Sequence, residues 1–76
     1  MWKEENNKLK RDFEFANFKE AFSFLTKVAM AAEQAQHHPE IFNVYNKVNI
    51  SLATHDAGNV VTDKDRNLAK AIDALV

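Results

Sequence analysis

Cysteine is absent from this 76-residue chain, which has only one glycine and one proline. Without cysteine there is neither a disulfide framework nor a thiolate zinc site. A single glycine and a single proline leave little room for flexible linkers, and so short a chain buries too little surface for two cores. We therefore predict one domain that spans residues 1–76.

A dominant charge and a long apolar run are also missing. Ten basic residues nearly cancel eleven acidic ones, which gives a net charge of -1 and argues against direct binding of nucleic acid. No stretch approaches the ~20 apolar residues of a membrane span. The start of the chain, from Met1 to Asn7, is polar and lacks the apolar centre of a signal peptide. We therefore expect a soluble cytoplasmic protein that does not act at a membrane.

Two regions show the period-two alternation of β-strands. In the first, one face carries Leu9, Arg11, Phe13 and Phe15. Asn6 and Asn7 before it favour a turn, because asparagine tolerates a left-handed backbone, so residues 2–5 are predicted to form a partner strand. In the second region Val44, Val48, Ile50 and Leu52 share one parity, and a break near Asn46 would divide the region into two strands.

Two helices are predicted from their caps and apolar spacing. Asn17 and Glu20 have capping-box spacing, and the helix that follows runs to about Gln36, where Pro39 stops it. Its expected buried residues include Phe22, Phe24 and Met30. Thr62 and Asp65 cap a second helix, whose apolar stripe is Leu68, Ala69, Ile72 and Leu75. The order β-β-α-β-β-α predicts an α+β fold with an antiparallel four-stranded sheet and helices packed on one face.

All three histidines lie at element boundaries. His37 and His38 end the long helix, and His55 follows the last strand. Histidine titrates near neutrality, so a pair can supply an acid and a base. Position alone favours a simpler interpretation, in which these are solvated boundary residues. Three histidines can also bind zinc, but adjacent side chains diverge, so a metal site is less favoured than acid–base chemistry.

Most of the chain resembles the pterin-4a-carbinolamine dehydratase family. The resemblance runs from Trp2 to about Ile72 and is carried by His37–Val48, by Ile50–Asp56, and by Thr62, Asp65, Leu68 and Ala69. Upstream residues that fit are Phe13, Phe15, Phe18, Ala21, Phe22, Val28, Ala29 and Glu33. This sequence departs from the family in four ways: a usual N-terminal helix is absent, Gln36 replaces an acid, Ile41 replaces an aromatic residue, and the loop before Asp65 is one residue longer.

The resemblance implies a dehydratase (a lyase) that converts 4a-hydroxytetrahydropterin to quinonoid dihydropterin and water, as in tetrahydrobiopterin recycling. It implies no metal and no redox cofactor. The implied catalytic residues are His37, His38 and His55, with acid and base unassigned. The implied substrate-binding residues are Glu33, His37, His38, Pro39, Thr54, His55, Asp56 and Ala57. Asp65 is expected to be a helix cap rather than a catalyst.

Partners and competing functions follow from the same resemblance. A homodimer or homotetramer is expected, together with a functional link to an aromatic amino acid hydroxylase. One alternative function is a dimerisation partner of a homeodomain transcription factor. Another is a dehydratase-like protein that acts on a different pterin, such as one in molybdopterin metabolism. The residues do not distinguish the physiological pterin.

Overall fold

A computed structural model describes residues 1–76, in which strands and helices follow the predicted order. The elements are β1 (Lys3–Glu5), β2 (Lys8–Glu14), α1 (Phe18–Ala35), β3 (Glu40–Val44), β4 (Lys47–Leu52) and α2 (Asp63–Asp73). The strands form one antiparallel sheet in the order β1-β2-β4-β3. Both helices cover one face, so the predicted α+β fold is confirmed. Neither helix combines the length and hydropathy needed to cross a membrane.

Two tight turns close the hairpins. Asn6 and Asn7 both have left-handed backbones, with φ of 53° and 63°, and they join β1 to β2 as predicted. The turn from β3 to β4 sets Val44 opposite Lys47. Directly opposed residues of an antiparallel pair share a face. Val44 therefore lies on the open face of the sheet, and its predicted place beside Val48 and Ile50 is wrong.

The core lies between the sheet and the two helices. Leu9, Phe13, Val48, Ile50 and Leu52 supply its sheet side, while its helix side comes from Ala21, Phe24, Leu25, Val28, Leu68, Ala69 and Ile72. Phe24 is buried as expected, but Phe22 and Met30 are each more than half exposed, so their predicted burial is wrong. At 3.6 residues per turn, the buried stripe of α1 runs through Ala21, Leu25 and Val28, and Met30 falls on its far side.

The two ends of α1 are fixed by polar contacts. Asn17 Oδ1 accepts a hydrogen bond from the Glu20 N–H at 2.9 Å, as the capping prediction requires. At the other end Gln36 has φ of 50°, and its side chain donates to the Glu33 carbonyl at 2.8 Å. A left-handed residue stops a helix and redirects the chain. The redirection occurs immediately before His37 and His38.

Candidate active site

His37 and His38 point in different directions from the end of α1. The His37 side chain is 11% exposed, whereas that of His38 is 64% exposed. The left-handed Gln36 turns the chain, and the His37 N–H donates to the Ala32 carbonyl at 3.1 Å. One histidine therefore enters the protein while its neighbour faces solvent.

The His37 ring is held by a buried carboxylate. His37 Nε2 lies 2.5 Å from Oδ1 of Asp65, which is fully buried. Oδ2 of Asp65 accepts hydrogen bonds of 2.8 Å from the Thr62 N–H and from the Thr54 hydroxyl. Asp65 is thus a helix cap, as predicted, and it also binds a histidine 28 residues earlier.

The environment of Asp65 favours its ionised form. Burial alone would raise the pKa of this carboxyl, but hydrogen bonds from His37, Thr62 and Thr54 outweigh burial and hold the pKa below its ordinary value of 3.8. An ionised carboxylate only accepts hydrogen bonds, so Nε2 of His37 carries the proton between them. In neutral His37, Nδ1 is then the nitrogen that can accept a proton.

His38 and His55 are each paired through one ring nitrogen. Nε2 of His38 lies 3.5 Å from the Glu33 carboxylate, which therefore contacts His38 rather than His37. His55 begins a single 3-10 turn (His55–Ala57), and its Nδ1–H donates to Asn59 Oδ1 at 2.6 Å. Asn59 is held by its left-handed backbone and by a 3.0 Å bond from its N–H to the Thr54 carbonyl. Nε2 of neutral His55 is left as an acceptor.

Two adjoining depressions contain more than one of these histidines, and a third, of about 360 Å³ between α1 and α2, contains His37 alone. The first, of about 260 Å³, is lined by polar residues, namely Gln36, His37, His38, Thr54, His55, Asp56 and Lys64. The second, of about 320 Å³, shares His38 and His55 and extends onto the open face of the sheet along Lys8, Glu40, Ser51, Ala53 and Asn59. A larger depression of about 490 Å³ beside Phe42 contains no histidine. We locate the candidate site at the histidines, because imidazole is the side chain best suited to general acid–base chemistry.

The structure brings most of the expected site residues together. The three histidines, Thr54 and Asp56 line the first depression, and Glu33 reaches it through His38. Pro39 and Ala57 flank the site in the chain but line neither depression. No three histidine, aspartate or glutamate side chains converge as a metal ion would require.

Sequence reasoning missed several residues of the site. The capping role of Asp65 was predicted, but spacing within α2 carries no information about a partner just beyond the end of α1. Glu40, Lys8 and Lys64 were also missed, although Glu40 follows the histidine pair by only two residues. The available signal was the parity of β3 and β2, which places Glu40 and Lys8 on the open face.

Comparison with known proteins supports the resemblance. The family described as Pterin 4 alpha carbinolamine dehydratase matches residues 1–75. The chain is 53% identical over 74 residues to a Synechococcus sp. (strain WH7803) protein named "Putative pterin-4-alpha-carbinolamine dehydratase", covering 97% of this chain and 78% of that protein. A protein of the same name from Prochlorococcus marinus (strain NATL2A) is 49% identical, covering 99% of this chain and 78% of the relative.

Two solved structures share the fold. A transcriptional coactivator/pterin dehydratase from Brucella melitensis superimposes with a TM-score of 0.92 at 39% identity, covering 97% of this chain and 80% of that one. A pterin dehydratase-like protein identified as a RuBisCO assembly factor in the alpha-carboxysome superimposes with a TM-score of 0.78 at 26% identity, covering 99% and 86%. With a family match over residues 1–75 and relatives near 50% identity, this chain belongs to the pterin-4-alpha-carbinolamine dehydratase family.

Proposed function

We propose that the protein is a dehydratase that converts 4a-hydroxytetrahydropterin to quinonoid dihydropterin and water, as required for tetrahydrobiopterin recycling. The observation that carries the proposal is the convergence of His37, His38 and His55 on one polar depression in a chain of this family. The substrate would be formed by an aromatic amino acid hydroxylase, which provides the functional link.

The reaction needs two proton transfers and no change of oxidation state. A proton is delivered to the 4a hydroxyl, the C4a–O bond breaks and water leaves. The N5–H bond then gives its electrons to a new C4a=N5 double bond, and its proton goes to a base. Histidines suit both transfers because each form is populated near neutral pH. The proposed site therefore needs neither a metal nor a redox cofactor.

The contacts of the site suggest how its residues divide the work. Asp65 does not reach the depression, so it is a positioning residue that fixes the His37 ring and its Nε2–H tautomer. Asn59 fixes the ring of His55 in the same way. The exposed His38, with Glu33 behind it, is suited to substrate binding, together with Thr54 and Asp56 in the wall of the first depression. Pro39 and Ala57 flank these residues in the chain, and the resemblance implies them for binding as well.

The decisive experiment is turnover of 4a-hydroxytetrahydropterin by the purified protein and its histidine variants. His55→Ala and His37→Gln are each expected to lose ~100- to 10,000-fold in kcat, as removal of a general acid or base does. His38→Ala is expected to raise KM at least as much as it lowers kcat. Glutamine is chosen at position 37 because alanine would leave buried Asp65 without one of its donors, at a cost of about 1–3 kcal/mol.

Thermal unfolding of the same variants separates chemistry from folding. His38 and His55 are exposed, so their alanine variants are expected to unfold within ~0.5 kcal/mol of wild type. Near-wild-type turnover by both His37→Gln and His55→Ala would contradict the mechanism. Unfolding of both His38→Ala and His55→Ala would instead make these histidines structural.

A second candidate function is protein binding. The outer face of α1 exposes Phe22 and Met30, and large exposed apolar side chains suit an interface. The Brucella melitensis relative is described as a transcriptional coactivator as well as a dehydratase. Folded wild-type protein that shows no dehydration of 4a-hydroxytetrahydropterin would favour this candidate.

A further inference from the structure

An ion pair lies in the wall of the second depression. Lys8 Nζ and Glu40 Oε1 are 2.8 Å apart. Lys8 begins β2 and Glu40 begins β3, with β4 between them, so the pair spans the end of the sheet from which His55 follows. Ser51 and Ala53 of the intervening segment line the same depression, as do His38 and His55.

The ion pair is ionised and open to a ligand. The hydrogen bond from Lys8 holds the pKa of Glu40 below its ordinary value of 4.5, against the smaller opposing effect of burial. The Glu40 side chain is 63% exposed and the Lys8 side chain is 36% exposed. Glu33, which the resemblance implies for substrate binding, contacts His38 and lines neither depression. Glu40 is therefore the glutamate available to a ligand in the second depression.

The substrate presents a complementary edge. One side of a 2-amino-4-oxo pyrimidine ring carries two N–H donors, the 2-amino group and N3–H, followed by the O4 acceptor. A carboxylate accepts two parallel hydrogen bonds from such donors, and an ammonium donates to a carbonyl. At about 320 Å³, the depression is within the ~300–1,000 Å³ typical of small-molecule sites.

We propose that Glu40 and Lys8 determine specificity for the pterin ring, with Glu40 accepting from the 2-amino group and N3–H while Lys8 donates to O4. C4a and N5, the reacting atoms, lie across the bicycle from the 2-amino group. A ring held in this way directs them toward His38 and His55, and so toward the first depression, which these two residues share with His37. The inference rests on the proposed function and assigns its substrate recognition to two residues outside the histidine cluster.

Two pteridines test the assignment without turnover. Pterin carries the 2-amino-4-oxo edge, whereas lumazine has a second carbonyl in place of the amino group. Their Kd values are measured by fluorescence titration of wild type, Glu40→Gln and Lys8→Met. Glu40→Gln is expected to weaken pterin binding about 10- to 100-fold, as loss of hydrogen bonds to a charged group does, and lumazine binding less than about threefold. Lys8→Met is expected to weaken both, because both ligands carry O4.

The sheet supplies a matched control. Glu5 and Lys10 form a second ion pair on the same open face, with a separation of 3.6 Å and similar exposures of 60% and 32%, but neither lines the second depression. Glu5→Gln and Lys10→Met make the same charge changes. Both control variants are expected to leave the two Kd values within about twofold of wild type. If they weaken pterin binding as much as Glu40→Gln and Lys8→Met do, the effect is one of general electrostatics and the assignment is overturned.

The remaining outcomes separate this inference from the proposed function. Selective pterin binding that depends on Glu40, without any turnover, would support the ring-recognition pair and contradict the dehydratase. Histidine-dependent turnover, together with a ratio of pterin Kd to lumazine Kd that is the same in Glu40→Gln as in wild type, would support the dehydratase and contradict the ring-recognition pair. A folded wild type that binds neither pteridine, or does not distinguish them, would also overturn the inference.

Discussion

At the scale of single residues, Asp65 has more hydrogen-bonding partners than its place in the sequence indicates. Its two oxygens accept from the His37 ring, the Thr62 N–H and the Thr54 hydroxyl. The Thr62 hydroxyl lies 2.6 Å from that of Thr54 and completes the chain of contacts. One carboxylate thereby ties the start of α2 to Thr54, two residues after β4, and to His37, two residues after α1.

Replacement of this carboxylate should affect the rate as well as the fold. In Asp65→Asn the amide can no longer accept from all three donors, so the free energy of unfolding is expected to fall by roughly 1–3 kcal/mol. The His37 ring also loses its anionic partner. We expect kcat for 4a-hydroxytetrahydropterin to fall about 10- to 100-fold, with KM little changed. This loss is smaller than that expected when a general acid or base is removed, because Asp65 acts only through His37. Equal turnover at a temperature where both proteins are folded would remove Asp65 from the mechanism.

The pH dependence of unfolding offers an independent measure of how much the ionised Asp65 carboxylate stabilises the fold. The pKa of Asp65 is lower in the folded chain than its ordinary value of 3.8. Its contribution to stability is therefore fully present above pH 3.8 and is lost as the pH falls through the lowered pKa. Urea midpoints of wild type should fall more steeply than those of Asp65→Asn below pH 3.8. Parallel curves would show that the folded and unfolded pKa values do not differ.

The sequence predicted the positions of the site residues but not their partners. Local spacing identified the Asp65 cap, and the boundary positions of the three histidines indicated where chemistry could occur. The partners of those histidines lie on other elements, as the 28-residue separation of His37 and Asp65 illustrates. Such pairs depend on how α2 packs against α1, which no spacing within one helix encodes.

At the scale of elements, left-handed residues set the boundaries. Asn6, Asn7 and Asn59 suit this backbone, and the Asn6-Asn7 turn was predicted for that reason. Gln36 and Tyr45 adopt it as well, although neither residue type favours it. The turn at Tyr45 changes which residues face the core, so that even-numbered residues do so in β4 but not in β3. Val44 was misplaced because it was given the same face as Val48, Ile50 and Leu52. Phe22 and Met30 were misplaced for a different reason, because α1 has apolar residues on more than its buried stripe.

Strain at Tyr45 can be tested by substitution. Its φ of 49° lies in a region that costs non-glycine residues roughly 1–2 kcal/mol, and its side chain is exposed. Asparagine tolerates this backbone better, so Tyr45→Asn is expected to raise the free energy of unfolding by ~0.5–1 kcal/mol. Tyr45→Val is the matched opposite, because a branched side chain is least suited to positive φ and should lower stability. Thermal melts that rank the valine variant above the asparagine variant would contradict the strain.

At the scale of the whole molecule, one edge of the sheet is open and apolar. β3 is an edge strand, and Ile41, Phe42, Val44 and Tyr45 on or beside it are exposed. Unpaired edge strands of this kind readily pair with another chain. A domain of this size without disulfides also gains stability from association. We therefore expect a homodimer joined at β3, or a homotetramer in which two such dimers pack through the outer faces of their helices.

Association at this edge is measured by light scattering at micromolar concentration. Wild type should have at least twice the monomer mass, and Phe42→Lys should reduce it, because a charge on an edge strand opposes pairing. Phe22→Lys, on the outer face of α1, is the control and should leave the dimer intact. A monomeric wild type would contradict the prediction, and dissociation by Phe22→Lys alone would move the interface to α1.

Trp2, immediately before the first strand, contacts the last residue of the final helix. Trp2 is the only tryptophan, and its indole Nε1 donates to Asp73 Oδ1 at 2.8 Å while its ring packs edge-on against Phe13 at 6.2 Å. Arg11 binds the same aspartate and lies 4.4 Å above the Phe13 ring. All indole emission therefore arises at the contact between Trp2 and Asp73, which are 71 positions apart in the chain. The chain carries its own optical reporter, whose colour and intensity follow the docking of α2 onto the sheet without any added label.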